Sequence, residues 1–123
     1  MLKLTFVLRR RAELSREEFQ AYWLNEHGPL VRSHADALGV RRYVQTHTVS
    51  SPLNDGLRAS REAMEEYDGV AELWWDDHDA FVAASSTPEG LAAAQALLED
   101  ERGFIDLERS ALWVGEEHVI VDR

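Results

Sequence analysis

The sequence predicts an α+β fold, a ferredoxin-like split βαβ arrangement with one four-stranded antiparallel sheet. Three observations support this fold class. Apolar spacing alternates between strand and helix periods in the order strand, helix, strand, long loop, strand, helix, strand. The length of 123 residues suits a single domain that covers 1–123. Several predicted strands carry large apolar side chains on both faces, although helices would cover only one.

The first strand and the first helix have clear signals. Apolar residues alternate along Leu2–Leu8, which is the pattern of a half-buried strand. Ser15 and Glu18 form a capping box, in which each side chain bonds the backbone of the other residue at a helix start. We expect Gly28-Pro29 to break or kink this helix near His27, because proline disfavours helical geometry at the residue before it.

The middle of the chain is predicted to be strand, loop and strand. Val40–Val49 is typical of a second strand, and Val70–Trp75 of a third. Residues 50–66 are rich in Ser, Pro and charge and are interpreted as a long loop, with room for a short helical turn at 58–66. A loop of this length in a small domain is often a lid or a binding segment.

The last part of the chain is predicted to contain two helices, a connector and a strand. A helix is expected at about 77–85, and a second begins at Thr87-Pro88, where Thr caps and Pro takes the first position. Residues 99–106 are interpreted as an acidic connector. Ala111–Val121 follows as the fourth strand.

Composition excludes several classes of protein. The chain has no Cys, which excludes disulfides, thiolate metal sites and a cysteine nucleophile. The net charge of −10 disfavours nucleic acid and anionic membranes as partners. No apolar run approaches the roughly 20 residues of a membrane span, and no signal peptide is evident, so we expect a cytoplasmic location.

The charge is distributed unevenly along the chain. The first 61 residues carry ten Lys or Arg and six Asp or Glu, whereas the rest carry three and seventeen. Two halves of opposite sign would attract one another, within one chain or between two chains. Alternatively, both sets of charges are simply solvated. Because the predicted sheet has an uncovered apolar face, the simplest partner is a second copy of the chain, in a homodimer.

One segment near the start combines the capping residues, an aromatic pair and a His-Gly-Pro turn. It runs Leu14-Ser15-x-Glu17-Glu18-Phe19-x-x-Tyr22-Trp23-x-x-x-His27-Gly28-Pro29-Leu30-Val31. This segment resembles the opening signature of the EthD-like proteins. Three shorter blocks are similar to later parts of that family's pattern: Arg42–His47, Tyr67–Trp74 and Phe104–Asp106. The resemblance spans residues 3–115.

The resemblance implies a dimeric α+β barrel, in which two sheets pack face to face and each subunit holds a cavity between sheet and helices. Proteins of the wider superfamily include cyclases, dehydratases, isomerases, cofactor-free monooxygenases and haem enzymes. We therefore expect a cofactor-free lyase, cyclase or isomerase that acts on a small hydrophobic carbonyl or aromatic compound. The alternatives are a non-catalytic binding or accessory protein and a cofactor-free or haem-dependent monooxygenase.

Two histidines are the leading catalytic candidates. The resemblance places His27 at the family's histidine, and imidazole suits proton transfer near neutral pH. A purely structural His27, bonded to a carbonyl freed by the helix break, is the alternative. His47 shares a strand face with Tyr43 and Gln45, which could form the polar wall of a pocket or a hydrogen-bonded strip between subunits.

The third strand and the last connector supply further candidates. Glu72 and Trp74 share a face, where a carboxylate among apolar groups would have a raised pKa. Tyr67 precedes this strand, whereas Asp68 is more simply a turn residue. The resemblance marks Asp106, for which a salt bridge or a cap is the alternative. The predicted catalytic residues are thus His27, His47 and Asp106, and the predicted substrate-binding residues are Tyr43, Gln45, Tyr67, Glu72 and Trp74.

The sequence indicates no cofactor. No pair of His or carboxylate residues has metal-ligand spacing, and no glycine-rich loop is suited to phosphate. Haem would need His27 or His47 as its axial ligand, but no haem-specific motif is present. The expected partners are a second copy of the chain and a small hydrophobic molecule.

Overall fold

A computed structural model describes all residues, 1–123. The strands are β1 (Leu2–Leu8), β2 (Arg42–His47), β3 (Gly69–Trp75) and β4 (Ala111–Glu116). The helices are α1 (Arg16–Tyr22), α2 (Gly28–Leu38), α3 (Pro52–Arg61), α4 (His78–Ala84) and α5 (Pro88–Glu101). A π-helical turn, Trp23–His27, joins α1 to α2, and a short 3₁₀ helix, Leu107–Arg109, precedes β4.

The four strands form one antiparallel sheet in the order β2-β3-β1-β4. Leu4 of β1 lies opposite Leu73 of β3 and Val114 of β4. The two central strands are thus the first of each half, as a split βαβ fold requires. The ferredoxin-like α+β fold predicted from the sequence is confirmed.

The core lies between the sheet and the helices. Phe6 and Leu8 of β1 pack with Phe19, Trp23 and Phe104, all of them almost fully buried. The capping box that begins α1 is present, since Ser15 Oγ accepts from the N–H of Glu18, and Glu18 accepts from the N–H of Ser15. The cap therefore fixes the start of the helix that carries Phe19 and leads into Trp23.

Gly69 allows the helix layer to approach the sheet. A Cβ at this position would lie 2.4 Å from Cζ3 of Trp23 and 2.9 Å from the carbonyl oxygen of Thr46. Neither neighbour can move without disturbing the core, so only glycine fits at the start of β3.

The prediction of a loop over 50–66 is wrong, because Pro52–Arg61 is a helix. Ser51 Oγ accepts from the N–H of Leu53, and Pro52 takes the first helical turn, where its missing N–H costs nothing. The short helical turn expected at 58–66 is correct only over 58–61, since α3 ends at Arg61 and its cap residue, Glu62, has a φ of 50°.

The acidic connector over 99–106 is a second error. Helix α5 begins at the predicted Thr87 cap but continues to Glu101, so the three acidic residues 99–101 form its last turn. The fourth strand ends at Glu116 rather than Val121, and the second covers only Arg42–His47. The break or kink expected near His27 takes the form of a π-helical turn over Trp23–His27, and the chain stays helical from this turn into α2.

Residues of the basic first half of the chain pair with residues of the acidic second half within one chain. Lys3 bonds Glu72 at 2.7 Å, Arg10 bonds Asp68 at 2.6 Å, and Arg58 bonds Glu66 at 3.0 Å. The attraction expected from the sequence therefore operates inside the domain. No helix is long and apolar enough to cross a membrane.

Candidate functional site

A cavity of 370 Å³ lies between the helix-covered face of the sheet and helices α2, α4 and α5. Eleven of its fourteen lining residues are hydrophobic, and Glu101 is the single charged one. The sheet supplies Leu4, Phe6, Leu73, Trp75 and Leu112. An apolar cavity with few polar groups is the usual form of a small-molecule site.

Glu101 has an unusual environment for a carboxyl group. Its side chain is 17% exposed, and it faces the cavity from the last turn of α5. Burial, assisted by repulsion from Asp100, raises the pKa of Glu101 to about 7. Both the acid and its carboxylate are then populated near neutral pH, which suits a group that must accept and return a proton.

His27 lies directly behind Glu101. Its Nε2 atom is 3.9 Å from Oε2 of Glu101, and its Nδ1 atom is 2.7 Å from Oδ2 of Asp100. Burial lowers the pKa of His27, although the bond to Asp100 opposes this shift. Asp100 accepts a hydrogen bond from Nδ1–H, so the neutral ring directs the lone pair of Nε2 towards Glu101.

Tyr22 bonds the other carboxylate oxygen of Asp100. Its hydroxyl donates a hydrogen bond to Oδ1 of Asp100, and this bond raises the pKa of Tyr22 to about 12. Asp100 is therefore fixed by two donors, Tyr22 and His27. A connected series runs from the partly exposed Tyr22, through Asp100 and His27, to Glu101 at the cavity wall.

The π-helical turn gives His27 its position. The N–H of Gly28 donates to the carbonyl of Trp23, five residues back, and Nε2 of Gln45 donates to the same carbonyl at 2.9 Å. The wider turn accommodates Pro29, which has no N–H and would crowd an ordinary helix. The expected break is therefore replaced by a turn of a kind that often occurs at functional sites.

His47, Tyr43 and Gln45 do share the helix-covered face of β2, as predicted. Gln45 donates to the hydroxyl of Tyr43 at 2.8 Å and contacts Nε2 of His47 at 2.8 Å. The His47 ring stacks on Trp23, with centroids 4.5 Å apart. Burial lowers the pKa of His47 and raises that of Tyr43. None of the three lines this cavity, but Tyr43 and Gln45 line a second pocket, of 390 Å³, beside Gly28 and Val31, so they do form part of a polar pocket wall.

Tyr67 and Asp68 lie at the start of β3, away from the cavity. Both oxygens of Asp68 accept hydrogen bonds from Arg10, and Oδ1 also accepts one from Arg16. The guanidinium of Arg9 stacks over Tyr67 at 4.0 Å. This arrangement joins β1, α1 and β3.

Glu72, Trp74 and Asp106 also lie outside the cavity. Glu72 and Trp74 project from the open face of the sheet, where Glu72 bonds Lys3 and Trp74 lies beneath Lys3 and Arg42. Asp106 begins the 3₁₀ helix, and its N–H donates to the carbonyl of Arg9 at 2.8 Å. The structure thus brings only His27, of the eight predicted site residues, beside a cavity carboxyl group.

Tyr22, Asp100 and Glu101 were missed as site residues. The prediction of a connector over 99–106 leaves Asp100 and Glu101 outside the helix that carries them. A signal was nevertheless available, because Leu91, Ala94, Leu98 and Glu101 recur at helical spacing after the Thr87-Pro88 start. Extending the helix by one more turn would have placed Glu101 on the apolar face.

The site's fit to a metal or haem can be judged from its donors. No group of three or more His, Asp or Glu side chains is arranged to hold a metal ion. Both ring nitrogens of His27 face carboxylates, and Nε2 of His47 is bonded to Gln45. Neither imidazole lines the cavity, so these residues do not fit an axial ligand of a haem bound there.

Several solved structures are similar to this chain over nearly its whole length. An EthD-family protein of Bacillus halodurans is 25% identical, with a TM-score of 0.61 over 96% of this chain and 100% of that one. SnoaB of Streptomyces nogalater, a cofactor-independent oxygenase, is 21% identical, with a TM-score of 0.52 over 98% of each chain. A dimeric ferredoxin-like protein of unknown function from Bacteroides fragilis is 14% identical, with a TM-score of 0.56 over 94% and 95%.

No curated protein matches the chain. Residues 11–108 match the EthD domain, which is most of the sequence and includes α1, the π-helical turn and α5. The resemblance seen in the sequence is therefore confirmed, and the chain belongs to the EthD family.

Proposed function

We propose that this protein is a cofactor-free enzyme, a lyase, cyclase or isomerase, that transfers a proton on a small hydrophobic carbonyl or aromatic compound. The observation that carries the proposal is the environment of Glu101. It is the single charged group of an apolar cavity, and the neutral His27 lies directly behind it.

The chemistry needs only these two groups and an acidic C–H bond in the substrate. The carboxylate of Glu101 takes a proton from the carbon next to the carbonyl, so that the C–H bond breaks, a Glu101 O–H bond forms and the electron pair stays on the substrate as an enolate. Nε2 of His27 can then receive this proton, because Asp100 stabilises the imidazolium. The proton then returns by the same path to a different carbon of the enolate, which completes an isomerisation, or to a leaving group, whose bond to the β-carbon breaks as the electron pair of the enolate forms a C=C bond.

The test is proton exchange on a simple ketone. We would incubate 2-tetralone with the protein in D₂O and follow loss of its α-proton signals by NMR. The wild type should accelerate exchange over buffer, and Glu101→Gln should lower the rate by about a hundredfold or more, because the base is lost. Glu99→Gln is the matched control, since Glu99 lies in the same helical turn but is exposed and outside the cavity.

Two other outcomes have definite meanings. Binding of 2-tetralone with no exchange above buffer would favour a non-catalytic binding protein. Oxygen uptake by the same mixture, lost in Glu101→Gln, would favour a cofactor-free monooxygenase, in which the deprotonated substrate reacts with O₂. The neighbouring SnoaB, described as a cofactor-independent oxygenase, makes the second outcome worth measuring.

We also propose that the working form is a homodimer that packs the open faces of two sheets together. Val7, Val44, Val70 and Trp113 project from this face, and the Trp113 residue is 52% exposed. Dimeric proteins among the structural neighbours support the idea. Sedimentation equilibrium should give a dimer for the wild type and for Leu53→Glu, which alters an exposed residue of α3, but a monomer for Trp113→Glu.

A further inference from the structure

The cavity is a groove that follows one face of α5. Leu91, Ala94, Leu98 and Glu101 recur at intervals of three or four residues along this helix, and all four line the groove. The lining continues to Gly90, so it covers about 16 Å of helix at 1.5 Å per residue. The site is therefore longer than a compact single-ring ligand needs.

At the end of the groove far from Glu101, helices α4 and α5 are in contact, and the polar groups of the lining are bonded within the protein. A Cβ at Gly90 would lie 1.9 Å from the carbonyl oxygen of Ala84, so α4 and α5 are in direct contact there. The N–H of Gly90 is bonded to Oγ1 of Thr87 at 2.9 Å. The hydroxyl of Ser85 donates to the carbonyl of Phe81 at 2.8 Å. Neither group keeps a free N–H or O–H for a ligand.

The middle of the groove is no more polar. Trp75 is the one aromatic N–H donor in the lining, and its Nε1 is bonded to the carbonyl of Leu38 at 2.8 Å. The remaining walls are aliphatic or phenyl side chains. Glu101 is therefore the one charged group that a ligand in this groove meets, the Oγ of Ser85 can only accept a hydrogen bond, and the other side-chain contacts are apolar.

From this distribution we infer that the site takes an elongated, amphiphilic substrate, with one carbonyl or hydroxyl head at Glu101 and a hydrocarbon tail that lies along α5 towards Gly90. The inference rests on the proposed function for the chemistry at the head. It adds the shape and polarity of the substrate. A compact compound would leave the far half of the groove empty. A compound with a second polar group at its other end would place that group against apolar side chains.

The experiment compares the binding of ketones of increasing chain length. Dissociation constants would be measured by calorimetry for 2-hexanone, 2-octanone, 2-decanone and 2-dodecanone, with 2-adamantanone as a compact ketone of ten carbons. Affinity should rise about fourfold for each added methylene until the groove is full, because each buried CH₂ contributes similarly. The ketone 2-decanone should bind at least tenfold more tightly than 2-adamantanone.

Two variants of α5 test where the hydrocarbon tail of the ligand lies. Ala94→Phe narrows the groove about two turns before Glu101, at 3.6 residues per turn, and should weaken 2-dodecanone at least tenfold more than 2-hexanone. Ala92→Phe, on the same helix but outside the lining, should leave the whole series as in the wild type. Affinity independent of chain length, or 2-adamantanone binding as well as 2-decanone, would overturn the inference.

The same series separates this inference from the proposed function. Length-dependent binding without proton exchange would keep the elongated ligand and reject the enzyme. Proton exchange on 2-tetralone without length-dependent binding would keep the enzyme and reject the elongated substrate.

Discussion

Two buried carboxyl groups, Asp68 and Glu101, occupy opposite electrostatic environments in this small domain. The side chain of Asp68 is 5% exposed and bonds two cations, Arg10 at 2.6 Å and Arg16 at 3.1 Å. Burial opposes its ionisation, but the bonds from Arg10 and Arg16 outweigh burial and hold the pKa of Asp68 below its ordinary value. Glu101 has no cation beside it. Its basic neighbour, His27, is neutral and becomes a cation only when it is protonated.

The contrast separates a structural carboxylate from the carboxyl group that we propose as the catalytic base. Asp68 is ionised throughout the working range of pH and joins three elements of the fold. Glu101 sits at the carboxyl end of α5, where the helix dipole and Asp100 both disfavour negative charge. A charge that the fold does not compensate is typical of groups whose protonation changes during catalysis.

The largest expected effect is the loss of stability when Asp68 is replaced. Asp68→Ala should lower the free energy of unfolding by about 3 kcal/mol at pH 7, because it leaves Arg10 and Arg16 without their shared partner. Urea denaturation at one protein concentration measures the effect, since association would make the midpoint depend on concentration.

The matched control is Asp36→Ala, an exposed aspartate of α2, which should change the free energy of unfolding by less than about 0.5 kcal/mol. If Asp68→Ala were as mild as Asp36→Ala, the arginines would be adequately solvated without Asp68, and its structural role would be refuted.

The second prediction concerns the pH dependence of stability at Glu101. Its ordinary pKa is 4.5 and its folded pKa is about 7, so between these values the folded state keeps a proton that the unfolded state releases. Stability should therefore fall as pH rises through this window, by up to about 3 kcal/mol, and Glu101→Gln should abolish this component.

Urea midpoints at several pH values from 4.5 to 7.5 test the sign. Glu99→Gln should keep the wild-type slope, because Glu99 is exposed. His27 contributes in the opposite direction, since its lowered pKa favours unfolding as pH falls below 6.5. The difference between wild type and Glu101→Gln isolates the carboxyl. Parallel curves for the two proteins would show that Glu101 ionises normally in the folded state.

The sequence predicted the fold well because local signals and apolar spacing agreed. The Ser15 cap, the Thr87-Pro88 start and the alternation of Leu2–Leu8 all correspond to observed elements. Helix α3 was missed although Ser51-Pro52 carries the same signal as Thr87-Pro88, because Asn54-Asp55-Gly56 within it is typical of a turn.

The site was predicted only in part, for a physical reason. The sequence predicts an acidic connector over 99–106, and three successive acidic residues are an unusual last turn of a helix because they oppose the helix dipole. The structure accommodates them because Tyr22 and His27 bond Asp100, and burial keeps Glu101 largely protonated below pH 7. These partners are 73 or more residues apart, so no local pattern could show them. Local rules are often violated at functional sites.

The third and smallest prediction tests Asp100 as a positioning residue for His27. Asp100→Asn replaces an ionised acceptor with a neutral amide, so the Nδ1–H of His27 is held less firmly and the imidazolium is no longer stabilised. The 2-tetralone exchange rate should fall about tenfold with little change in KM, because Asp100 does not line the cavity.

The pH profile distinguishes positioning from a general loss of structure. Asp100 raises the pKa of Glu101, so in Asp100→Asn the rise in rate that reports Glu101 ionisation should move to lower pH. Tyr22→Phe keeps the charge of Asp100, so it should leave this midpoint in place and lower the rate by less than about threefold. A tenfold loss with an unmoved profile in Asp100→Asn would make Asp100 a structural group like Asp68, and the contrast between the two regions would rest on Glu101 alone.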